Sequence, residues 1–463
     1  MSVRLPIRGY KWLSETEIST FDIYSVPHDA RNGYILTVDL AYSSKDFPHH
    51  DVSLIALKSD RHMRTITKLN LNNYFFSFLK DFPLLVERLV VKEEDLSPFT
   101  RELLRKSNTK LGKEPKLIAG LRDRNSYTIH YVHLQYVLGH GVKLKKIHRI
   151  LQFEQGYIFK SYVDKIVALR REAKTSSAKT SFKIVINSLY GRLLLDSEAF
   201  VKCTPVRANG RCKQLVNSKR YKKHTVISKD FVLVYTKPER VQYSSPLLIG
   251  GSVLCLSKLH QSSYWYDHVL KAFPSSRFLF SDTDSCAYHY SENEDYVQGR
   301  KKMSEIFDFS AFPKDHPDYS DARRCAPGWY KSELDFDSTK LDSQKRVSKF
   351  YALCPKMYCL KTIGCEETIK AKGIPRSLRP MIHAQAYHDA VFSDIVQRGD
   401  YYKITSANHT LFSKQYTKRL LSIVDSKRFW LSCGICSIAL FRHDAQEIYD
   451  NHVCPYLPSS VNE

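Results

Sequence analysis

Two acidic residues follow an apolar run in the segment RFLFSDTDSCAYHY, residues 277–290. Arg277–Phe280 and Cys286–Tyr290 are each typical of a strand, which places Asp282 and Asp284 at the tip of a predicted hairpin. Two carboxylates this close repel each other unless a cation neutralises them, so the pattern favours a metal site. A solvated turn is the alternative, because Asp and Thr are common turn residues.

A further carboxylate lies in an apolar, β-branched stretch near the start of the chain. Tyr34–Tyr42 (YILTVDLAY) follows the turn signal Asn32-Gly33 and predicts a strand that ends near Asp39. An unpaired aspartate is costly to bury, so Asp39 faces a site or caps a turn. Two strands from distant parts of the chain that each deliver a carboxylate match the needs of a two-metal phosphoryl-transfer site.

The segment Tyr162–Arg192 contains no proline and is rich in helix formers, which predicts one long helix or a helix pair. On a continuous helix, one face carries cations, an amide and a phenol: Arg171, Lys179, Lys183, Asn187 and Tyr190. Such a face can hold the triphosphate of a nucleotide, with an aromatic ring at its base. An ordinary solvated face is the alternative, although the neighbouring apolar run Ile184–Ile186 disfavours it.

Charge and composition limit the partners. The 463 residues include 71 Lys and Arg against 48 Asp and Glu, a formal charge of +23 that indicates a polyanionic partner such as nucleic acid. The start of the chain has no apolar signal core, and no apolar run reaches the ~20 residues of a membrane span. The 11 cysteines are odd in number and scattered, which predicts free thiols in a reducing, intracellular compartment, the nucleus in a eukaryotic host.

Several motifs resemble those of family B DNA polymerases. Lys183–Gly191 (KIVINSLYG) resembles the family's fingers motif, and Phe280–Ser285 (FSDTDS) resembles its palm motif. Lys356–Tyr358 is similar to the Lys-x-Tyr motif, and Lys372–Ile374 to the Lys-Gly segment that follows it. The four motifs occur in the family's order, and the resemblance extends from about residue 31 to residue 442.

The finer resemblance is to the protein-primed subgroup, which occurs in phages, linear plasmids and Maverick/Polinton-type mobile elements. It rests on Tyr34–Tyr42, Ile129–Tyr131, Leu144–Arg149 and Lys427–Phe429. The resemblance implies an α+β, right-hand polymerase with a palm (antiparallel sheet), fingers (long helices), a thumb and two insertions. It also implies a monomeric DNA-directed DNA polymerase that replicates a viral or mobile element, with primer-template DNA, dNTPs and a terminal protein as partners.

The resemblance divides the chain as follows: an N-terminal remnant (1–30), the first palm strand (31–44), an insertion like the terminal-protein region (45–150), fingers (151–192), a basic insertion (193–240), the rest of the palm (241–375), and the thumb with the C-terminal segment (376–463). Basic residues crowd the second insertion between Lys202 and Arg240, which we expect to be irregular or a hairpin and to track phosphates.

The resemblance also assigns roles to individual residues. Two Mg²⁺ (or Mn²⁺) ions would be held by Asp39, Asp284 and the Leu40 carbonyl, with Asp282 as an accessory carboxylate. The residues expected to contact the incoming nucleotide are Leu40, Arg171, Lys179, Lys183, Asn187, Tyr190 and Tyr42, the last as a steric gate against the ribose 2′-OH. Those expected to hold primer and template are Lys356, Tyr358, Lys370 and Lys372.

The sequence departs from the family pattern at three places. Tyr42 stands three residues after Asp39 instead of five, Ser43 replaces a proline, and Phe280 replaces a tyrosine. Asp39 also lies 38 residues from Met1, so we expect no proofreading exonuclease domain before the palm. A non-catalytic, nucleic-acid-binding remnant of such a polymerase is therefore an alternative. A reverse transcriptase is a third, which the fingers motif disfavours.

One cysteine pattern belongs to none of these motifs. Cys433-Gly-Ile-Cys436, with His443, His452 and Cys454, suggests a zinc site. The second half of the pattern lacks the usual ligand spacing, and the alternative is that the cysteines pack within an apolar thumb segment.

Overall fold

The computed structural model describes residues 3–42, 56–58, 85–241, 246–281, 285–289, 295–333, 347–354, 356–362, 367–392, 397–407, 410–434 and 436–454. The chain combines helices with antiparallel sheets, as predicted. It divides into two compact units. The first consists of Met1–Pro6, Gly156–Leu254 and Asp400–Lys418, and the second contains Ile7–Gln155, Cys255–Gly399 and Arg419–Glu463.

The strands, in chain order, are β1 (Leu5–Trp12), β2 (Asn32–Tyr42), β3 (Ala56–Lys58), β4 (Glu87–Leu89), β5 (Lys116–Ile118), β6 (Arg124–His130), β7 (Val142–Gly156), β8 (Lys202–Arg207), β9 (Tyr221–Ser228), β10 (Phe231–Thr236), β11 (Arg277–Ser281), β12 (Cys286–His289), β13 (Val347–Cys354), β14 (Met357–Thr362), β15 (Thr368–Ala371), β16 (Arg398–Ala407), β17 (Thr410–Arg419), β18 (Arg428–Trp430) and β19 (Ser437–Ala439).

The helices are α1 (Glu15–Ser19), α2 (Pro98–Lys106), α3 (Tyr131–Gly139), α4 (Lys160–Glu172), α5 (Ser176–Leu193), α6 (Gly210–Val216), α7 (Leu247–Ser263), α8 (Leu270–Ala272), α9 (Tyr296–Lys302), α10 (Ala384–Phe392) and α11 (Ala445–Asp450). A π-helical turn, Tyr264–Val269, joins α7 to α8. No helix in the described ranges has both the length and the apolar character needed to cross a membrane.

A four-stranded sheet with the order β1-β7-β2-β6 forms the centre of the second unit. The predicted strand around Asp39 is confirmed as β2, and alternate residues on one of its faces, Leu36, Val38 and Leu40, are fully buried. They pack against the buried side chains of α3, including Leu134. Because successive side chains of a strand point to opposite faces, Asp39 lies on the face away from this core.

Both neighbours of β2 in its sheet come from the region expected to be the first insertion. Strands β6 and β7 pair antiparallel with β2, one along each of its edges. Both strands lie within residues 45–150, except that β7 continues to residue 156. The sheet that carries Asp39 therefore includes β6 and β7, with α3 between these two strands in the chain. Pairing over this sequence distance leaves no local signal, which is why the strand pattern alone did not reveal it.

Four other strand groups of the described residues belong to the second unit, of which β4–β5 and β18–β19 are two-stranded pairs. Strands β11 and β12 form the predicted hairpin, with Ser281 opposite Cys286 in the last described pair before the tip. Phe278 and Tyr288 anchor it to the buried Trp265 of the π-helical turn. Strands β15, β14, β13 and β3 form a separate sheet in that order, against which α10 packs through the fully buried Tyr387.

The first unit contains the segments predicted as fingers and basic insertion. The region 162–192 is a helix pair, α4 and α5, separated by a short break at Ala173–Thr175. The basic segment is more regular than expected, because β8, β10 and β9 form a three-stranded antiparallel sheet with α6 beside it. Part of the expected thumb, the hairpin β16–β17 between residues 400 and 418, also clusters with this unit.

Candidate active site

Asp39 lies where β2 is irregular along both edges. The register of β2 against β7 shifts between Asp39 and Leu40, and its register against β6 shifts between Val38 and Leu40. Such β-bulges redirect side chains and are frequent next to active sites. On the β6 side, the extra residue brings Ser126, with a φ of 51°, opposite the carboxylate.

The carboxylate of Asp39 is held by two neighbouring strands. Its Oδ1 atom accepts a hydrogen bond from the Ser126 backbone N–H at 2.7 Å and lies 2.7 Å from Nε2 of His148 on β7. The Ser126 hydrogen bond, and then the contact with His148, hold the pKa of Asp39 below its usual value, with a further contribution from Lys146. Asp39 is therefore ionised at neutral pH and fixed in orientation.

The second oxygen of this carboxylate is available for a ligand. Oδ2 of Asp39 forms no hydrogen bond with any residue in the described ranges, and the side chain keeps 23% of its surface exposed. An ionised, oriented and open carboxylate oxygen is a suitable ligand for Mg²⁺ or Mn²⁺. The side chain of Leu40 is fully buried in the core, so this residue can contribute its backbone carbonyl alone. Asp282 and Asp284 lie outside the described residues.

Tyr42 does not share the face of β2 that carries Asp39. It continues the series Leu36, Val38 and Leu40 and packs against the same core. The guanidinium of the buried Arg124 lies 5.5 Å from the centre of its ring, and burial raises the pKa of its hydroxyl. At three residues after Asp39, strand alternation turns Tyr42 towards this core, and its expected contact with the nucleotide sugar remains a prediction.

Four of the five expected nucleotide-binding residues of the fingers lie on one helix. Lys179, Lys183, Asn187 and Tyr190 of α5 fall within an arc of about 80°, given about 100° of rotation per residue. Lys183 and Asn187 are exposed, whereas Lys179 and Tyr190 are half-buried. Arg171 belongs to α4, beyond the break, so the shared-face argument does not apply to it.

The apolar residues next to this face are more exposed than the sequence suggested. Within α5 the buried residue is Leu193, while Ile184 is 61% exposed and Val185 is 37% exposed. The apolar residues next to Lys183 therefore do not show that α5 is buried within the first unit. Both sides of α5, the polar arc and this apolar strip, remain accessible at the surface of the first unit.

The residues expected to hold the primer come together at one end of the β13–β14–β15 sheet. Tyr358 on β14 pairs with Lys370 on β15, so the two side chains are cross-strand neighbours. Lys356 occupies the turn before β14 with a φ of 67°, and its carbonyl accepts a hydrogen bond from the Lys372 backbone N–H at 3.2 Å. The structure thus brings Lys356, Tyr358, Lys370 and Lys372 into one cluster, and their role remains a prediction.

Two partners of Asp39 were not recognised as site residues in the sequence. His148 stands in the run Leu144–Arg149, where it could be seen that His148 and Lys146 alternate on one face of a strand. The contribution of Ser126 comes from its backbone N–H and its positive φ, for which the residue type gives no signal.

Part of the chain matches a known protein family. Residues 85–245 match the family model for DNA polymerase type B, organellar and viral. The matched region includes β6 and β7, which supply Ser126 and His148 to Asp39, and it includes α5. No curated protein matches the chain.

Solved structures of one polymerase are similar to the chain at low sequence identity. Phi29 DNA polymerase complexed with primer-template DNA matches with 12% identity and a TM-score of 0.40. The same polymerase complexed with primer-template DNA and incoming nucleotide substrates matches with 13% identity and a TM-score of 0.39. Its orthorhombic crystal form gives 12% identity and a TM-score of 0.41. In each case the match covers 84% of this chain and 58% of the other, so the chain spans less than two thirds of that polymerase.

Proposed function

We propose that the chain is a DNA-directed DNA polymerase that transfers a dNMP from a dNTP to a primer 3′-OH and releases pyrophosphate. The observation that carries this proposal is the state of Asp39, which is ionised, oriented through Oδ1 and open at Oδ2. The family match over residues 85–245 supplies the reaction class.

The proposed centre uses Asp39, Asp284 and the Leu40 carbonyl to hold two divalent ions, with Asp282 as an accessory carboxylate. When bound, such ions lower the pKa of the attacking hydroxyl and neutralise charge on the leaving group. The protein's own contribution at Asp39 is orientation. Ser126 and His148 fix one carboxylate oxygen, so the other points in a single direction and loses little freedom when it binds a cation.

The other predicted clusters would position the two substrates. Lys179 and Lys183 of α5 would bind the triphosphate, with Asn187 and Tyr190 at the nascent pair. The exposure of Lys183 and its alignment with Asn187 on one face support this role. Arg171 would assist from α4. On the β13–β14–β15 sheet, the clustering of lysines around Tyr358 supports a site for the primer terminus, where cations meet the phosphate backbone.

We also propose that the polymerase replicates a viral or mobile element and starts from a protein primer. The support is the resemblance of Tyr34–Tyr42 and Leu144–Arg149 to the protein-primed subgroup, together with the organellar and viral description of the matching family. The sheet formed by β2 and β7 contains both of these segments.

Primer extension by the purified chain tests the proposal. Asp39→Asn keeps the acceptor for the Ser126 N–H but removes the charge, so we expect the protein to fold and nucleotide incorporation with Mg²⁺ to fall by at least ~100-fold. Glu154→Gln is a matched control, because Glu154 is a carboxylate on β7 that pairs with Arg8 and Arg31 at the other end of the sheet. Equal incorporation by wild type and Asp39→Asn would rule out the proposed centre. DNA binding by a wild type that extends no primer would favour the non-catalytic remnant.

A further inference from the structure

Four side chains that commonly ligate zinc gather in the C-terminal part of the second unit. Cys433, Cys436, His452 and Cys454 each offer one donor atom, and these atoms all lie within 4.8 Å of one another. Four donors around a tetrahedral zinc ion, at about 2.3 Å for sulfur and about 2.0–2.1 Å for nitrogen, are separated by roughly 3.3–3.8 Å. The cluster is therefore close to the size of a zinc site, and small side-chain movements would complete it.

The sulfur separation distinguishes a metal site from a disulfide. Sγ of Cys436 lies 4.0 Å from Sγ of Cys454, about twice the ~2.0 Å length of a disulfide bond. It is near the ~3.8 Å expected for two thiolates on one tetrahedral zinc ion. None of Cys433, Cys436 and Cys454 forms a disulfide with another described cysteine.

The first ligand pair lies in a tight turn between β18 and β19. The Leu431 N–H donates to the Cys436 carbonyl at 2.8 Å and closes the turn, while the Cys436 N–H donates to Sγ of Cys433 at 3.2 Å. A backbone N–H directed at sulfur stabilises its thiolate form, which is the form that binds metal. Gly434 adopts a φ of 69°, and a Cβ there would lie 2.6 Å from the ring of Phe99, so the turn requires glycine.

The second ligand pair follows α11, and it includes a buried polar atom with no partner among the described residues. Nε2 of His452 is buried and makes no hydrogen bond with any of them, although leaving a buried nitrogen unsatisfied is energetically costly. A metal ion bound through this nitrogen would remove this cost. His443, which the sequence pattern also suggested, stands outside the cluster, with its side chain 60% exposed beside Asp444.

We propose that Cys433, Cys436, His452 and Cys454 bind a structural zinc ion. Three sulfurs and one imidazole nitrogen select zinc over Mg²⁺, which prefers oxygen ligands, so this site is chemically distinct from the proposed catalytic centre. All four positions are filled by protein, which is typical of structural rather than catalytic zinc. Binding releases the thiol protons that the cysteines still carry.

The zinc ion would link the segment after α11, which carries His452 and Cys454, to a small apolar core. Cys436 is fully buried and packs with Leu431, Ile438 and Leu440 of the β18–β19 region. The same core includes Leu96 and Ile118 from the segment around α2 and β5. Zinc binding at this cluster is independent of polymerase activity.

Metal analysis of the full chain tests the proposal. Protein purified without chelator should carry one equivalent of zinc by plasma mass spectrometry, and a mercurial thiol reagent should release it. Cys454→Ser should lose the zinc, whereas Cys454→His replaces one ligand type with another and should retain it. Cys203→Ser, which removes an exposed thiol elsewhere, should retain the full equivalent.

A cobalt titration keeps the test decisive if Cys454→Ser does not fold. Wild-type protein freed of zinc under reducing conditions should bind one Co²⁺ and develop the visible absorption of tetrahedral cobalt with thiolate ligands. Absence of this absorption, together with zinc well below one equivalent in the wild type, would overturn the proposal. Full zinc retention by Cys454→Ser would overturn it as well, and so would a Cys436–Cys454 disulfide in protein kept under reducing conditions.

Discussion

In the pair formed by Asp39 and His148, the histidine orients the carboxylate. His148 lies 2.7 Å from Oδ1 of Asp39 on the neighbouring strand, and it has 29% of its side chain exposed. Carboxylates that bind metals are commonly oriented by a partner of this kind, and loss of the partner costs about 10- to 100-fold in metal affinity or activity. His148 is therefore a positioning residue in the proposed polymerase, since it acts through Asp39.

The variant His148→Ala tests this positioning role. We expect the Mg²⁺ concentration for half-maximal primer extension to rise by about 10-fold or more, because Asp39 loses one of the two contacts that orient it. Titration of extension rate against Mg²⁺ measures the shift. The control is Arg149→Ala, which removes the next side chain on β7, opposite Thr37 rather than Asp39. An equal Mg²⁺ dependence in wild type and His148→Ala would contradict the role.

The same variant should change the pH dependence in a defined direction. The pKa of Asp39 is lowered mainly by the Ser126 hydrogen bond and then by His148, so the ionised form persists to lower pH than in a free aspartate. The stabilisation from these contacts is present at neutral pH and is lost as the pH falls through the lowered pKa. In His148→Ala the pKa rises towards its usual value, and the acidic limb of the rate profile should move to higher pH.

At this scale the sequence predicted the residue but not its environment. The apolar run around Asp39 was enough to predict β2, and alternation along that strand accounts for Leu36 and Leu40 in the core. The same alternation turns the half-buried Tyr42 towards this core. The role of the Ser126 N–H depends on a bulge between distant strands, and such a bulge has no signature in residue type.

Among the secondary-structure elements, β2 depends on a close approach to β7. Gly33 lies opposite Phe153, and a Cβ at Gly33 would come within 2.5 Å of the Phe153 ring and 2.7 Å of the Gln155 side chain. Real Cβ atoms do not reach such distances, so the ring or the strand would have to move. Because β2 also carries Asp39, this contact links sheet packing to the candidate site.

Gly33→Ala should therefore destabilise the second unit. An extra methyl group in a filled position lowers the free energy of unfolding by about 1–3 kcal/mol. Urea denaturation monitored by circular dichroism would detect this change. Gly139→Ala, at the end of α3, is the control: a methyl group there would meet no atom within 4 Å, and alanine favours a helix. A Gly33→Ala protein as stable as the wild type would show that the strands separate at little cost.

Local elements were predicted better than their assembly. The β11–β12 hairpin and the helices of 160–193 follow from runs of adjacent residues. The break at Ala173–Thr175 was left open, because it contains neither glycine nor proline and is marked by the Thr175 N-cap, whose side chain accepts from the Ala178 N–H. The sequence suggested zinc ligands but did not separate His452 from His443, because the fold alone brings His452 and Cys454 to the Cys433–Cys436 turn.

Over the whole molecule, charge is unevenly divided between the two units. The first unit holds 124 residues, with 23 Lys and Arg against 7 Asp and Glu, a net charge of +16 out of the chain's +23. It contains α5 and the sheet of β8, β10 and β9, where Lys222 and Lys223 are exposed. A polyanion such as DNA should therefore contact this unit through its phosphates rather than its bases, in addition to the proposed primer site on the second unit.

Salt dependence tests this division of charge. Each phosphate contact contributes about 0.9 to the magnitude of the slope of log affinity against log salt concentration. Lys222→Ala should therefore reduce that magnitude by about 1, and it should weaken binding to DNA of any sequence. Lys302→Ala removes an equally exposed cation from α9 of the second unit and should leave the slope nearly unchanged. Fluorescence anisotropy on duplexes of unrelated sequence measures both. A slope altered by Lys302→Ala but not by Lys222→Ala would place the DNA on the second unit, because the slope counts the cations that displace counterions from the phosphates.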